Sequence, residues 1–177
     1  MPIHPMKKRE IILSYEEYES MSELSIEEQT LAERALLARE NAYAPYSHFS
    51  VGAALITREG KTYVGCNQEN VNFKGSCAER VALDSAATAG EKAHITTIAI
   101  AGGPLIDEKF SQQMHDPISP CGQCRQDLRE VEDLGGRPLT VLLLSERKIL
   151  RFQGIEDLLP FGVGPKDLGG RLLRGKS

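Results

Sequence analysis

Two short cysteine motifs that lie far apart in the sequence constrain the fold of this chain more than any other feature. The first is "GSCAER", with Cys77, and the second is "SPCGQCRQ", with Cys121 and Cys124. Each stands where a helix is expected to begin, since Ser76 and Glu79 have capping-box spacing and Ser119-Pro120 resembles an N-cap followed by the first helical residue. The backbone N–H groups and the dipole at a helix start favour thiolates. A fold that brings the two helix starts together would place three thiolates around one point.

The Cys121–Cys124 pair has two possible roles, a redox dithiol or one half of a zinc site. Cys77 favours the zinc site, because three protein ligands and one open position are the arrangement of a catalytic zinc. Glu79, two residues beyond Cys77, could exchange a proton with a water in the open position without being a ligand. Cys66 belongs to neither motif and is expected to be a small buried hydrophobe. The order Cys-x-Glu, then Pro-Cys-x-x-Cys, is typical of zinc deaminases.

The composition is that of an ordinary globular protein, with 41% hydrophobic and 26% charged residues. A net charge of −4 argues against a nucleic-acid partner. No apolar run is long enough to cross a bilayer, and the N-terminus lacks the apolar region of a signal peptide. We therefore expect no membrane partner and a cytoplasmic location, where the four cysteines would be reduced and free to act as ligands.

The order of the predicted elements indicates an α/β fold, because strands alternate with helices. Residues 1–24 are expected to be a partly disordered extension, and residues 25–177 a single domain. Ser25 and Glu28 form a capping box at the start of the first helix. The elements that follow are a hairpin of "FSVGAALIT" and "KTYVGCN", a helix from Cys77 to about Ala89, the strand "ITTIAIAG", a long connection over residues 103–117, a helix from "SPCGQC", the strand "PLTVLLLS" and a short helix at "GIEDLLP".

Five segments together resemble the cytidine deaminase family, specifically its small, homotetrameric, zinc-dependent type. They are "AYAPYSHFSVGAAL", "GCNQEN", "CAER", "SPCGQCRQ" and "LLPFGVGPKDL", and the resemblance covers residues 25–168. It implies a three-layer fold with a central mixed five-stranded sheet and helices on both faces. It also implies one Zn²⁺ per subunit and hydrolytic deamination of cytidine or 2′-deoxycytidine in pyrimidine salvage.

The same resemblance implies a role for individual residues. Glu79 is expected to carry the proton. The expected zinc ligands are Cys77, Cys121 and Cys124. The residues expected to contact the nucleoside are Phe49, Asn67, Glu69 and, through its backbone, Ala78. Arg80 and Gln126 are expected beside the ligands. Three thiolates leave a divalent cation at −1, and an arginine would withdraw charge from the sulfurs. The alternative for Arg80 is an ordinary solvent-facing helix residue.

Departures from the family pattern surround the expected substrate pocket. Phe73 replaces a tyrosine in a shortened segment, and Val163 occupies the position of an aromatic that reaches a neighbouring subunit, with Phe161 two residues before it. The connection over residues 103–117 is also long. These features suggest an alternative substrate, a 4-substituted cytidine or a blasticidin S-like nucleoside. Glu69 argues against a dedicated blasticidin deaminase, because it preserves the expected ribose-binding pair.

Two other classes remain open from the sequence. Deaminases of bases within nucleic acid more often have histidine as their first zinc ligand, whereas this chain has Cys77. A nucleoside-binding structural zinc protein would need a fourth protein ligand, for which Cys66 is the candidate. The expected partner is therefore a free pyrimidine nucleoside, bound by a homotetramer.

Overall fold

The computed structural model describes residues 6–106, 109–110 and 115–169. Its helices are α1 (Ile26–Ala38), α2 (Ala78–Thr88) and α3 (Gly122–Gly135). Its strands are β1 (Glu16–Tyr18), β2 (Phe49–Thr57), β3 (Thr62–Cys66), β4 (Ile95–Ile106), β5 (Lys109–Phe110), β6 (Thr140–Leu144) and β7 (Ile149–Gln153). Within these residues, no helix is long and apolar enough to cross a membrane.

The strands form one mixed sheet in the order β1-β7-β6-β4-β2-β3. Among the strands that the structure describes, only β4 and β6 pair in parallel, and β5 folds back on the end of β4. The prediction of an α/β fold with a mixed sheet is confirmed. The predicted number of five strands is wrong, because β1 of the N-terminal extension adds a sixth strand to the row and β5 adds a short hairpin beside it.

Helices cover both faces of the sheet, as expected for three layers. The apolar side of α1, which includes Leu31 and Ala35, packs on one face of the sheet with Ala54, Ala99 and Leu142. On the opposite face, α2 and α3 enclose a second core whose largest members include Leu55, Ile98, Ile100, Leu128, Val141 and Leu143. Because both faces are buried, β4 and β6 are apolar along most of their length, which is what made them recognisable as strands.

Two parts of the C-terminal half differ from the prediction. The strand β7 was not predicted, since Arg151 interrupts its apolar residues. The segment "GIEDLLP", predicted as a short helix, forms a single turn in which the N–H groups of Leu158 and Leu159 donate to the carbonyl of Ile155. Gly154, at a φ of 117°, precedes the turn and Pro160 follows it, so a helix has no room to propagate.

The N-terminal extension contributes to the sheet and to the core. Its strand β1 pairs antiparallel with β7, and Leu24 is buried against the core beneath α1. Arg151 of β7 bonds Glu16 of β1 at 2.8 Å and Glu28 of α1 at 2.9 Å. Residues 1–5, part of the segment expected to be partly disordered, lie outside the described residues. The segment from Glu16 to Leu24 is therefore packed on the rest of the chain.

A close approach between α2 and β3 fixes where α2 begins. Gly65 of β3 faces the first turns of α2, and a Cβ on it would lie 2.4 Å from the Ala78 carbonyl oxygen and 2.5 Å from the Ala82 nitrogen. Only glycine leaves room for this contact. The contact sets the position of the residues at the start of α2, which belong to the first cysteine motif.

Candidate active site

Cys77 and Cys121 are themselves the N-caps of α2 and α3. The Cys121 sulfur accepts a hydrogen bond from the Cys124 N–H at 3.5 Å, whereas Cys77 makes no side-chain cap. The predicted N-cap at Ser119 is therefore wrong by two residues. The capping-box spacing of Ser76 and Glu79 does not produce a capping box, because Ser76 pairs through its backbone with Gln68 and lies before the cap. Both motifs thus place a thiol directly at a helix N-terminus.

The three motif thiols form one cluster. Their Sγ atoms all lie within 4.8 Å of one another, and those of Cys77 and Cys121 are 3.8 Å apart. Cys124 is buried, Cys77 is half-buried and Cys121 is exposed. Cys66 lies outside this cluster, where its sulfur accepts a hydrogen bond from Gln68 Nε2 at 3.2 Å. Three thiolates from two helix starts, with one side open, form a donor set that fits one zinc ion.

The thiols of the cluster differ in acidity. Hydrogen bonding with Cys124, and then with Cys121, lowers the pKa of Cys77 to about 6, although burial opposes the change; the charge of Arg80 contributes further. The pKa of Cys124 is raised, because this thiol donates to Cys77 and is buried. One thiolate is therefore already favoured at neutral pH, before any metal binds.

Glu79 is the buried carboxyl beside this cluster. Its side chain is in the first turn of α2, and the residue is only 4% exposed. Burial raises the pKa of Glu79, and the charge of Cys77 raises it further, whereas hydrogen bonds with its own N–H and with Cys124 oppose the change. A carboxyl with a raised pKa holds a proton more readily than an exposed carboxyl does, which suits a group that must accept a proton and return it.

A cavity of about 600 Å³ opens beside Glu79 and the thiols. The residues expected to contact the nucleoside all line it, namely Phe49, Asn67, Glu69 and Ala78. Sequence reasoning did not identify several others that share the lining, among them Tyr46, Ser47, Val51, Gln68, Ile118 and Ser119. These lie beside the motifs in the sequence but carry no spacing that would have marked them.

Asn67 and Glu69 hold the backbone around the cavity mouth. The Asn67 amide bonds the backbone at the start of β2: its Oδ1 accepts from the Val51 N–H at 2.7 Å, and its Nδ2 donates to the Phe49 carbonyl at 2.8 Å. Glu69 Oε2 accepts from the N–H groups of Tyr46 and Ser47, at 2.9 and 3.2 Å. The pKa of Glu69 is lowered. Its slight burial acts to raise the pKa, but hydrogen bonds from the Ser47 side chain and from these two N–H groups outweigh that effect and keep the carboxylate ionised.

Arg80 of α2 and Gln126 of α3 make hydrogen bonds to different parts of the molecule. Arg80 Nη2 donates to Asp127 Oδ2 at 2.6 Å, and with the Gln123 amide oriented to satisfy both groups, the Gln123 oxygen accepts from the same guanidinium. Gln126 Nε2 instead donates to the Val163 carbonyl at 2.8 Å and fastens the C-terminal segment to α3. Asp127 and Gln123 were not identified from the sequence, although their spacing places both on one side of α3.

The two aromatics proposed for the pocket occupy different places. Phe73 lines the cavity near Tyr46, with ring centroids 5.5 Å apart, yet it is 82% exposed. Phe161 is 92% exposed and borders a separate cavity of about 240 Å³ next to α3. Both have a positive φ, 57° and 60°, which is an outlier for a bulky residue. Val163, between Phe161 and the end of the described chain, is half exposed.

Comparison with known proteins agrees with this geometry. The family model for the cytidine and deoxycytidylate deaminase zinc-binding region matches residues 25–134. The chain is 39% identical to a cytidine deaminase of Halalkalibacterium halodurans over 60% of this chain and 73% of that protein, and 36% identical to one of Sporosarcina psychrophila over 74% and 87%. A crystal structure of cytidine deaminase from Burkholderia pseudomallei is similar with a TM-score of 0.63 and 41% identity, covering 76% of this chain and 97% of that one.

Proposed function

The chain belongs to the cytidine and deoxycytidylate deaminase family, and from that premise we propose that it deaminates cytidine and 2′-deoxycytidine hydrolytically, in pyrimidine salvage. The products are uridine or 2′-deoxyuridine and ammonia. One observation carries this function: a buried carboxyl, Glu79, and two of the three clustered thiols, Cys77 and Cys121, line one cavity with the residues expected to hold the nucleoside.

The reaction needs a nucleophilic water and a group that moves protons. Cys77, Cys121 and Cys124 would hold the zinc, which when bound supplies a water of lowered pKa. Glu79 takes up one proton of that water at its carboxylate and delivers it to N3 of the base. It then takes the second proton of the same water, now on the hydroxyl added at C4, and delivers it to the amino group, which leaves as ammonia. The raised pKa of Glu79 suits both halves of this transfer.

The nucleoside is held by groups on three sides of the cavity. Phe49 forms a wall for the pyrimidine, and Asn67 with Glu69 receives the ribose hydroxyls. Ala78 is the first residue of α2, so its N–H has no partner within the helix and can donate to the base. Glu69 is ionised and can accept from a hydroxyl, which supports its assignment to the ribose.

Glu79→Gln tests this function directly. We expect loss of about 10²–10⁴-fold in kcat, because the amide cannot carry the proton, while zinc content stays at one per chain. Glu33→Gln, an exposed position on α1, is the matched control and should keep full turnover. The measurement is the ultraviolet change on deamination together with zinc analysis of the same sample. Near-normal turnover of a zinc-loaded Glu79→Gln variant would exclude the role of Glu79.

A second candidate substrate class is supported by the position of Phe73. Its ring is turned largely to solvent at the rim of a cavity of about 600 Å³, so the rim could admit a substituent on the 4-amino group or a blasticidin S-like extension. Turnover of cytidine, 2′-deoxycytidine, a 4-substituted cytidine and blasticidin S on one sample distinguishes the two candidates. A kcat/KM for cytidine far above the others would remove this second candidate.

Two remaining alternatives have less support. A structural zinc protein needs a fourth protein ligand, and Cys66, the candidate, bonds Gln68 instead. A deaminase acting within nucleic acid would be expected to carry a basic face, whereas the net charge here is −4. We therefore infer that the substrate is a free nucleoside. A gel-shift experiment with single-stranded DNA and RNA should show no complex at physiological salt.

The assembly and location follow the same reasoning. A homotetramer is supported by Phe161, whose exposed ring and positive φ are explained if another subunit packs on it. A cytoplasmic location is supported by the four free cysteines, since the cytosol keeps thiols reduced and available to bind a metal. The mass of the native protein by light scattering tests the tetramer, and a value of one or two chains would contradict it.

A further inference from the structure

An exposed strip of chain precedes and includes β1, and it lies outside the region matched by the family model. This amino-terminal strip is the run of residues 7–17, "KKREIILSYEE". Ile12 is 85% exposed, whereas Ile11 and Leu13 on either side are 54% and 52% exposed. Tyr15 rests on Phe152 of β7, with ring centroids 5.4 Å apart. Side-chain exposure thus alternates as in an extended strand, in which the side chains of Ile11, Leu13 and Tyr15 face the rest of the molecule.

The strip continues the free edge of the sheet. β1 is the outermost strand and pairs with β7 on one side only. Within the part of the chain that the structure describes, the backbone of residues 7–13 makes no hydrogen bond to another segment, and the Ser14 N–H donates to Asp157 at 3.3 Å. An exposed apolar edge with unpaired backbone groups is a template for an added strand.

The charges of the strip indicate which kind of strand could pair with it. Its first three residues are Lys7, Lys8 and Arg9, and the acidic residues Glu16 and Glu17 close it, with the apolar residues between. A second copy of the strip running antiparallel would place the basic end of each copy beside the acidic end of the other. A parallel copy would place like charges together. The strip is therefore complementary to itself in one direction only.

Symmetry then fixes the register. A two-fold axis perpendicular to the sheet keeps every side chain on its own side of the sheet, and directly opposed residues share a side. The axis must therefore lie midway between one residue and the copy of that same residue. Centred on Ile12, it places Ile12 opposite its own copy, Lys8 opposite Glu16 and Lys7 opposite Glu17. Centred on Leu13, it would oppose Arg9 to Glu17 but also Glu10 to Glu16, so one attraction would be offset by one repulsion. Centred on Ile11, it would oppose no acid to a base within the strip.

We propose that the amino-terminal strip pairs antiparallel with the strip of a second copy of this chain, about a two-fold axis at Ile12. The pairing extends the sheet from one chain into the next and covers the exposed side chains of Ile11, Ile12 and Leu13. It uses none of the residues assigned to deamination, so the pairing and the proposed function stand or fall separately.

Cross-linking of the full-length, zinc-loaded protein tests the register. In Ile12→Cys the two introduced thiols would face each other, and directly opposed residues of an antiparallel pair have Cα atoms about 4.5–5.5 Å apart, within reach of a disulfide. In the matched variant Ser14→Cys the two thiols would lie four residues apart along the strands, about 14 Å. Mild oxidation should link Ile12→Cys chains in pairs on a non-reducing gel, and leave Ser14→Cys at the level of the wild type, which reports the native cysteines.

Charge reversal then tests the pairing. Lys7→Glu added to Ile12→Cys should reduce the linked fraction several-fold, Glu17→Lys should do the same, and both together should restore it. Glu10→Gln, opposite Ser14 in this register, should leave it unchanged. Equal linking of Ile12→Cys and Ser14→Cys, or no linking above the wild type, would overturn the proposal. Cytidine turnover measured on the same unoxidised samples reports separately on the proposed function.

Discussion

Asn67 illustrates how one side chain can serve both the fold and the site. Its amide accepts from the Val51 N–H and donates to the Phe49 carbonyl, so it fixes the strand that carries the pocket wall. Asn67→Asp keeps the first bond but turns a carboxylate oxygen toward the Phe49 carbonyl. We expect the free energy of unfolding to fall by about 1–3 kcal/mol and the KM for cytidine to rise. Urea unfolding and steady-state kinetics check the two effects.

The control for this substitution is Asn72→Asp. Asn72 is exposed, and its Oδ1 accepts from the Lys74 N–H at 3.0 Å, a bond that aspartate can also make. Its stability and KM should match those of the wild type. If Asn67→Asp were as stable as Asn72→Asp, the amide would not hold β2.

The site residues that could be predicted from the sequence are those whose type and spacing are set by the chemistry of metal binding. The spacing of Cys77, Cys121 and Cys124 follows from what a metal needs, and the structure brings the three sulfurs together. The bond from Arg80 to Asp127 was not predictable, because ion pairs between helices depend on how α2 and α3 are placed relative to each other. Sequence spacing carries no information on that placement.

At the scale of elements, Gly65 couples the sheet to the catalytic helix. Gly65→Ala would place a Cβ 2.4 Å from the Ala78 carbonyl oxygen, so α2 would have to move away from β3. We expect the free energy of unfolding to fall by about 1–3 kcal/mol, as for other overpacked sites. Zinc retention against a chelator should fall too, because Cys77 precedes α2. Thermal unfolding and zinc release measure the two effects.

Gly122→Ala is the matched glycine substitution. Gly122 is the first residue of α3, and a Cβ there would meet no heavy atom within 4 Å. Stability should be unchanged or slightly higher, since alanine favours a helix more than glycine does. Equal losses in the two variants would mean that the close approach at Gly65 is not the cause.

Some strands could be predicted from their apolar pattern and others could not. Strands β4 and β6 were predictable, because strands buried on both faces are continuous apolar runs. Strand β1, whose sequence is "EEY", has almost no apolar residue and is a strand because β7 pairs with it. Strand β7 was missed for a related reason, since Arg151 at its centre points to the acids Glu16 and Glu28 rather than to a core. Both β1 and β7 form because of contacts with residues that are distant in the sequence.

Glu132 connects the end of α3 to two neighbouring segments and predicts a pH dependence. Its Oε1 accepts from the N–H groups of Leu139 and Ile155, at 2.7 and 2.9 Å. Burial raises the pKa of Glu132 above its ordinary value, although these bonds oppose the change. The folded state therefore holds the proton more tightly than the unfolded state. This contribution to stability is complete below the ordinary carboxyl pKa and is lost as pH rises through the folded pKa.

Glu132→Gln should remove that dependence. The amide oxygen can still accept both hydrogen bonds, and no charge forms at high pH. We expect the variant to gain stability relative to the wild type as pH rises from about 4.5 toward neutrality. Glu132→Ala, which leaves two N–H groups without their acceptor, should lose about 1–3 kcal/mol at every pH. Unfolding free energies across this range check both, and a pH-independent difference for Glu132→Gln would contradict the linkage.

At the scale of the whole molecule, the N-terminal extension divides into two parts with different consequences for stability. The first part, residues 6–13, is exposed, whereas Glu16 bonds Arg151 and Leu24 is buried in the core beneath α1. At a protein concentration too low for copies to pair, removal of residues 1–13 should change the free energy of unfolding by less than about 0.5 kcal/mol, as for most surface changes. It should also remove the pairing between copies.

Removal of residues 1–24 should be far more costly, because it takes away β1 and the Leu24 side chain. Burial of a leucine alone contributes about 1.5–3 kcal/mol, so we expect the melting temperature to fall by about 3 °C or more relative to the shorter truncation. Both truncated proteins should turn over cytidine below their melting temperatures, since every residue assigned to the cavity lies beyond residue 45. Equal melting temperatures for the two truncations would show that β1 and Leu24 add nothing to the stability of the sheet they join.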